Sequence, residues 1–509
     1  MNCITKAALA IALVLGMSAS QGAVPVVAIH DSELTRALET MPAANTTPTG
    51  PGTTGNEWWT PSWHYFFMPE SLKEALRSDG TAYAVVGDAD IAAGSLLDAG
   101  GQPKYPILIS LASEAVRDDE IAALTNYVAA GGTLFIGSSS FTRQTNGVSR
   151  GDFALANQMG VHMVNGNLLN WAFNFTLTKL VNDPILSHIP GGRVTWDMPT
   201  GADEIPWGTS PVHARAVGHL IWQVAAGDAS VIAQADSTPY ILVKNFGKGR
   251  FIYDAQMQPV MGRGGDAPGM HAYTIFRRAI EEAFAASKLT VPKLSPWPYS
   301  YDAAMMVRHD LENFQTMIRA IEASAQFENA SGVKGEYYFC TGTLREEMTN
   351  SPAVVGSLRS AITNYGALIS SHNGGFRNPN NSGLVLDNYD YWHWGPDEAI
   401  DAGVSGINYS LTSISNSFLD VEGWFAGITN SNGNGKRTWV SPYFNSTREP
   451  SLQILESLNI RTSGEQKISI FPSWVLSTSL QTAGKRYPFI SLPLSEWYIN
   501  GNPAETIET

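Results

Sequence analysis

Cysteine and positive charge are both scarce in this sequence, and each scarcity excludes something. Only Cys3 and Cys340 occur in 509 residues, and Cys3 stands just ahead of an apolar run of the kind removed with an export signal. One thiol then remains, so no intramolecular disulfide can form and stability must come from buried cores. Cys340 itself reads as a small apolar residue on a buried strand. Lys and Arg number 32 against 46 Asp and Glu, a formal charge of −14 with no basic run. That balance argues against a nucleic-acid partner. No stretch reaches the roughly 20 apolar residues that a transmembrane helix needs, so no membrane span is expected.

The first 23 residues carry a single Lys6, an apolar run from Ala7 to Met17 and then small and polar residues. They read as a signal peptide cleaved after Ala19 or Ala23, which implies a secreted or periplasmic protein. The remainder, in a chain that is 44% hydrophobic, suffices for two domains. Residues 24–80 form an N-terminal segment whose stretch from Met41 to Gly55, rich in Pro, Thr, Gly and Asn, reads as flexible. Prolines 292, 296 and 298 follow a helical pattern from Tyr273 to Ala286. Proline cannot continue a helix, so the linker falls there, between domains at 81–290 and 296–509. Fourteen Trp and 18 Tyr suit platforms for sugar rings and equally suit ordinary cores.

In the first domain, apolar runs at 82–86, 105–109 and 132–136 alternate with a helical stretch from Asp118 to Ala129 that stops at Gly131 and Gly132. Short continuous apolar strands between helices imply a parallel sheet covered on both faces. The segment from Pro106 to Gly137, with "YILVKNFGKGRFIYDA" about a hundred residues later, resembles class I glutamine-amidotransferase-like domains, which implies a flavodoxin-like fold. Ser138, Ser139 and Ser140 stand where such enzymes carry a nucleophilic Cys. Without a G-x-S-x-G turn, the serines read as a loop and the domain as non-catalytic.

Two of three strands in the second domain end in reactive side chains. "DAAMMVRHDLENF" delivers Asp310 and Glu312, two apart and therefore on one side of a strand. Asp310 as the N-cap of the following helix is the alternative. "KGEYYFCTGTLRE" is an aromatic strand, and "GALISSHNGGF" carries His372 into a Gly-rich turn. Their order, with Pro442 and Tyr443 in "VSPYFNSTREP", resembles the polysaccharide deacetylase (NodB-type, carbohydrate esterase 4-like) family over about 200 residues.

The whole chain is therefore expected to be α/β, an N-terminal flavodoxin-like parallel sheet domain followed by a distorted (β/α) NodB-type barrel. The resemblance implies Asp310 as catalytic base, Glu312 and His372 as metal ligands, and the backbone N–H of Tyr443 at the oxyanion. Phe376 replaces the family's second metal-binding His, and no His follows His393. His393 in "YWHWG" is then the imidazole available to complete a Glu312, His372 and His393 set for a divalent metal, zinc first, with an open water position. His309 is the candidate proton donor to the leaving amine, and Arg308, Trp392 and Trp394 are candidate substrate contacts. The expected function is a secreted, metal-dependent deacetylase of N-acetyl glycans, with a polysaccharide or oligosaccharide as substrate. The alternatives are an inactive carbohydrate-binding or glycan-assembly relative, and a glycoside hydrolase, for which Asp310 needs a partner carboxylate.

Overall fold

The computed structural model describes residues 25–40, 61–164, 169–172, 175–189, 193–196, 219–255, 262–263, 267–295, 301, 306–311, 315–372, 406–428, 437–440, 449–464, 466–467, 472–477 and 485–492. Residues 1–23, expected to be an export signal, the stretch from Met41 to Gly55, Glu312, Phe376, Trp392, His393, Trp394, Pro442 and Tyr443 lie outside them. The architecture is mixed α/β and is built around one mixed sheet, half parallel and half antiparallel in its pairings, and one largely parallel sheet.

The first sheet has nine strands: β1 (Val27–Asp31), β2 (Tyr83–Gly87), β3 (Ile107–Leu111), β4 (Thr133–Gly137), β5 (Phe175–Lys179), β6 (Arg193–Trp196), β7 (Ser230–Ala235), β8 (Thr238–Phe246) and β9 (Gly249–Asp254). Their order is β2-β1-β3-β4-β9-β8-β7-β5-β6. The run from β2 to β9 is parallel, and the rest is added antiparallel through the β8–β9 hairpin. Every residue of β3 and β4 is buried, as continuous apolar strands require when helices cover both faces. The cover comes from α1 (Glu33–Thr40), α2 (Pro61–Ser78), α3 (Asp88–Ala92), α4 (Asp118–Ala130) and α5 (Ala267–Ala286).

Asp118 and Asp119 open the first turn of α4, where the helix dipole favours negative charge. A Cβ at Gly132, just past its end, would fall 2.3 Å from the Tyr127 ring, so only glycine lets β4 start there. The sheet begins earlier in the chain than expected. β1 lies between β2 and β3 at its centre, so the domain starts near residue 27 and not at 81.

The second sheet has seven strands: β10 (Val307–Leu311), β11 (Gly335–Phe339), β12 (Leu368–Ser371), β13 (Arg437–Trp439), β14 (Ile460–Ser463), β15 (Ser473–Leu476) and β16 (Arg486–Ser491). They follow the order β10-β11-β12-β13-β14-β16-β15, parallel except for the last pair. Helices α6 (Gln315–Ala330), α7 (Thr341–Asn350), α8 (Ala353–Tyr365), α9 (Gly406–Trp424) and α10 (Glu449–Ser457) connect them. One face of β10 to β12, with Leu311, Tyr337, Phe339 and Ile369, packs on Ile318, Ile321, Leu358 and Ile362 from α6 and α8.

This sheet is strongly curled. Five strands in flat succession would separate β10 from β14 by about 19 Å. Yet a Cβ at Gly464, one residue past β14, would lie 2.6 Å from Nη1 of Arg308 on β10. An arginine spans that gap only if the sheet bends round on itself, as in a barrel. The two halves meet where the N–H of Trp474 donates to Glu74 of α2 at 3.1 Å and Leu476 joins the first core.

Candidate functional site

The inner, polar face of the curled sheet follows from strand alternation and register. Asp310 pairs with Tyr338, and Tyr338 with Ser370. Residues in register share a face, and so do residues two apart. Arg308, Asp310, Glu336, Tyr338 and Ser370 therefore line one side. His372, two residues past Ser370 and just beyond the end of β12, follows the same parity.

Arg308 donates from Nη2 to Oδ2 of Asp310 at 2.8 Å, and its own side chain is only 8% exposed. It orients Asp310 and does not present itself to a ligand. The other carboxylate oxygen of Asp310, Oδ1, is buried without a hydrogen-bond partner, although the side chain as a whole is 30% exposed. His372 is buried, and its Nδ1–H donates to the carbonyl of Val440 at 2.7 Å. Cys340, buried as expected, donates weakly from Sγ to the carbonyl of His372 at 3.6 Å.

Glu336 went unnoticed in the sequence because it sits inside an aromatic strand. It accepts the Tyr338 hydroxyl at 2.6 Å. Burial pushes its carboxyl above the usual range, against the opposing Tyr338 hydrogen bond and Arg308 charge. From strand spacing and rise, the Asp310 and Glu336 Cα positions lie about 8 Å apart.

Two expectations are corrected here. Asp310 lies within β10, five residues before α6 begins, and so is not that helix's N-cap. His309 faces away from Asp310, because neighbouring strand residues point to opposite sides. Its ring stacks on Tyr337 at 4.6 Å and its Nε2 bonds Glu328 at 2.5 Å, so it stands outside the Asp310 site.

The first domain holds a second polar cluster, at the carboxyl end of its parallel strands. His30 on β1 bonds Oδ1 of Asp88 through Nε2 at 2.8 Å and Ser110 on β3 through Nδ1 at 3.0 Å. Asp88, the first residue of α3, also accepts the Leu34 N–H at 2.8 Å and the Ser32 hydroxyl at 3.1 Å. Burial alone would raise the Asp88 carboxyl. The His30 hydrogen bond and charge, with those two donors, outweigh it and hold the group below the ordinary range.

Glu120, from the first turn of α4, is fully buried, and its Oε2 has no hydrogen-bond partner. Burial, followed by the Asp88 charge, pushes its carboxyl up to about 8. Ala112, Ser138 and Phe141, just past β3 and β4, adopt φ values of 53°, 55° and 65°. Strained backbone is thus concentrated at this edge.

The three serines behave largely as a structural loop. Ser139 donates to Glu114 at 2.7 Å, and Ser140 donates to the carbonyls of Ser110 and Gly137. Glu114 is in turn held by Arg143 at 2.7 Å.

The Glu120 environment makes stability depend on pH. Between its ordinary value of 4.5 and about 8, the folded chain keeps a proton that the unfolded chain has released. Stability of the metal-free chain therefore falls as pH rises through that window, by on the order of 2 kcal/mol from pH 6 to 8. Glu120→Gln, neutral throughout, should flatten the slope. Urea unfolding of both chains in chelator at pH 6 and pH 8 checks this, and equal slopes would count against it.

No family model matches the chain, and no curated protein matches it. Solved structures similar to it include a β-galactosidase from Bacillus circulans sp. alkalophilus, 15% identical with a TM-score of 0.35, matching 53% of this chain and 32% of that one. A β-galactosidase from Rahnella sp. R3 is 16% identical with a TM-score of 0.36, over 54% of this chain and 33% of that one. A cytoplasmic protein of Salmonella typhimurium is 13% identical with a TM-score of 0.29, over 44% of this chain and 87% of that one. The chain spans about a third of the length of those two β-galactosidases. Likenesses at these scores carry no functional assignment. No helix among the described residues is long and apolar enough to cross a membrane.

Proposed function

We propose that this chain hydrolyses a glycan, using the inner face of the curled C-terminal sheet to cleave a glycosidic bond. The observation that carries the proposal is Asp310. It is ion-paired through one oxygen and partly exposed, and its second oxygen is a buried acceptor with nothing to accept. An unsatisfied buried acceptor is costly, and such groups persist where a function uses them.

Glycoside cleavage needs two carboxyl groups in unlike environments, one protonated to release the leaving oxygen and one charged to act at the anomeric carbon or on water. Glu336, raised by burial, suits the first role. Asp310, ion-paired to Arg308, suits the second.

The test follows two products at once, new reducing ends and free acetate, from N-acetylated and unacetylated oligosaccharides. Reducing ends without acetate are expected. Binding with neither product would sink the proposal and favour an inactive glycan-binding relative.

Metal-dependent deacetylation is the second reading, and His372 favours it. A histidine whose Nδ1–H is anchored on a backbone carbonyl has the tautomer and orientation usual for a metal ligand at Nε2. Zinc bound there would activate water and polarise an N-acetyl carbonyl. Among the described residues, however, no three-ligand set forms around His372, and Glu312 and His393 lie outside them. We therefore derive no step through a metal. Acetate without new reducing ends would establish this reading instead. The N-terminal sheet, with its β2-β1-β3-β4 order, fits a flavodoxin-like, amidotransferase-like domain that lacks its nucleophile and supports the barrel.

A further inference from the structure

We propose that His30, Asp88 and Glu120 form a divalent-cation site at the carboxyl edge of the N-terminal sheet, independent of the glycan site. One ligand atom from each side chain lies within 4.8 Å of the other two, and all three residues are buried. Imidazole with two carboxylates is a mixed nitrogen and oxygen donor set, suited to Zn²⁺ or Mn²⁺. The second, independent observation is the Oε2 of Glu120, an acceptor in a fully buried side chain with no hydrogen-bond partner. A cation supplies what that oxygen lacks.

The supporting groups fit the same purpose. A metal on Nε2 of His30 requires the proton on Nδ1, and the Ser110 oxygen 3.0 Å away can accept it. Such an outer partner fixes both tautomer and ring orientation. Asp88 keeps its Leu34 and Ser32 donors on Oδ2, so Oδ1 is the oxygen turned toward His30 and available to the ion. The ligand atoms need only a modest contraction to meet a shared ion at ~2.0–2.2 Å from each.

The location is consistent with the fold. His30 and Ser110 lie on β1 and β3, the pair at which the strand order β2-β1-β3-β4 reverses direction. Open parallel sheets bind ligands at the carboxyl ends of the strands at that point. Glu120 enters from the first turn of α4, and Asp88 directly follows β2.

The full chain, loaded with Zn²⁺ or Mn²⁺ and then desalted, should be analysed for bound metal by elemental mass spectrometry beside variants of both sites. The wild type should hold one more equivalent than either Glu120→Gln or His30→Gln. Ser110→Ala should bind that equivalent about tenfold more weakly. Asp310→Asn and His372→Ala should retain it, which separates this site from any metal at the barrel. Circular dichroism must show Glu120→Gln folded, and His30→Gln is the second variant should it not be. The proposal is overturned if the wild type holds no metal, or if folded Glu120→Gln or His30→Gln carries as much as the wild type.

Discussion

Asp310→Asn should lower kcat for glycan hydrolysis by about a thousandfold, within the range expected for removal of a group that takes part in bond breaking. KM should change little, because the amide still fills the same space and its oxygen can still accept from Arg308. The fold should survive, since Asp310 belongs to none of the apolar clusters of its domain. Glu336→Gln provides the complementary measurement. Loss of a proton donor weighs most on substrates with poor leaving groups, so its defect should shrink on aryl glycosides whose phenols leave without protonation. Asp310→Asn should show no such recovery. Steady-state kinetics of both variants on both substrate types decide the matter, and full activity of Asp310→Asn would remove the C-terminal sheet from consideration.

The largest stability loss is expected from Glu114→Ala. Glu114 and Arg143 are buried at 5% and 8% exposure, and their side chains meet at 2.7 Å. Truncating the acid leaves a guanidinium buried beside an emptied space, a change that costs about 3–5 kcal/mol. It also removes the acceptor of the Ser139 hydroxyl, and with it a tie between the loops that follow β3 and β4. The double variant Glu114→Ala with Arg143→Met should recover much of the loss, because the uncompensated charge goes with it. Urea midpoints of the two variants measure this. Equal destabilisation by both would show that the ion pair is not the cause.

The parts of the molecule that were legible in the sequence are those in which local pattern and tertiary demand agree. The runs at β3 and β4 are apolar throughout because both faces of those strands are buried, so they read as strands of a covered parallel sheet. The strand ends at Asp310 and His372 were equally plain, since apolar runs that break abruptly into polar residues mark the carboxyl ends of strands. β1 was missed because its five residues precede the Pro, Thr and Gly-rich stretch, and nothing local says that so short a run will be inserted between β2 and β3. His309 was assigned to the wrong side for a related reason. Adjacency in sequence to Asp310 means opposition across a strand, and the Glu328 that holds it comes from a helix 19 residues away.

By itself the sequence determined the alternation of strands and helices, the parallel run of strands in each sheet and the placement of Asp310 and His372 near strand ends. These follow from periodicity, turn chemistry and composition, which act over a few residues. Only the tertiary structure decided which polar groups keep company. It joined Arg308 to Asp310 and Glu336, and it brought His30, Asp88 and Glu120 together from three separate elements across ninety residues. The physical reason is that burial, unmet hydrogen bonds and shifted carboxyl groups arise from neighbours brought close by the register and curl of a sheet, and no local pattern encodes those neighbours.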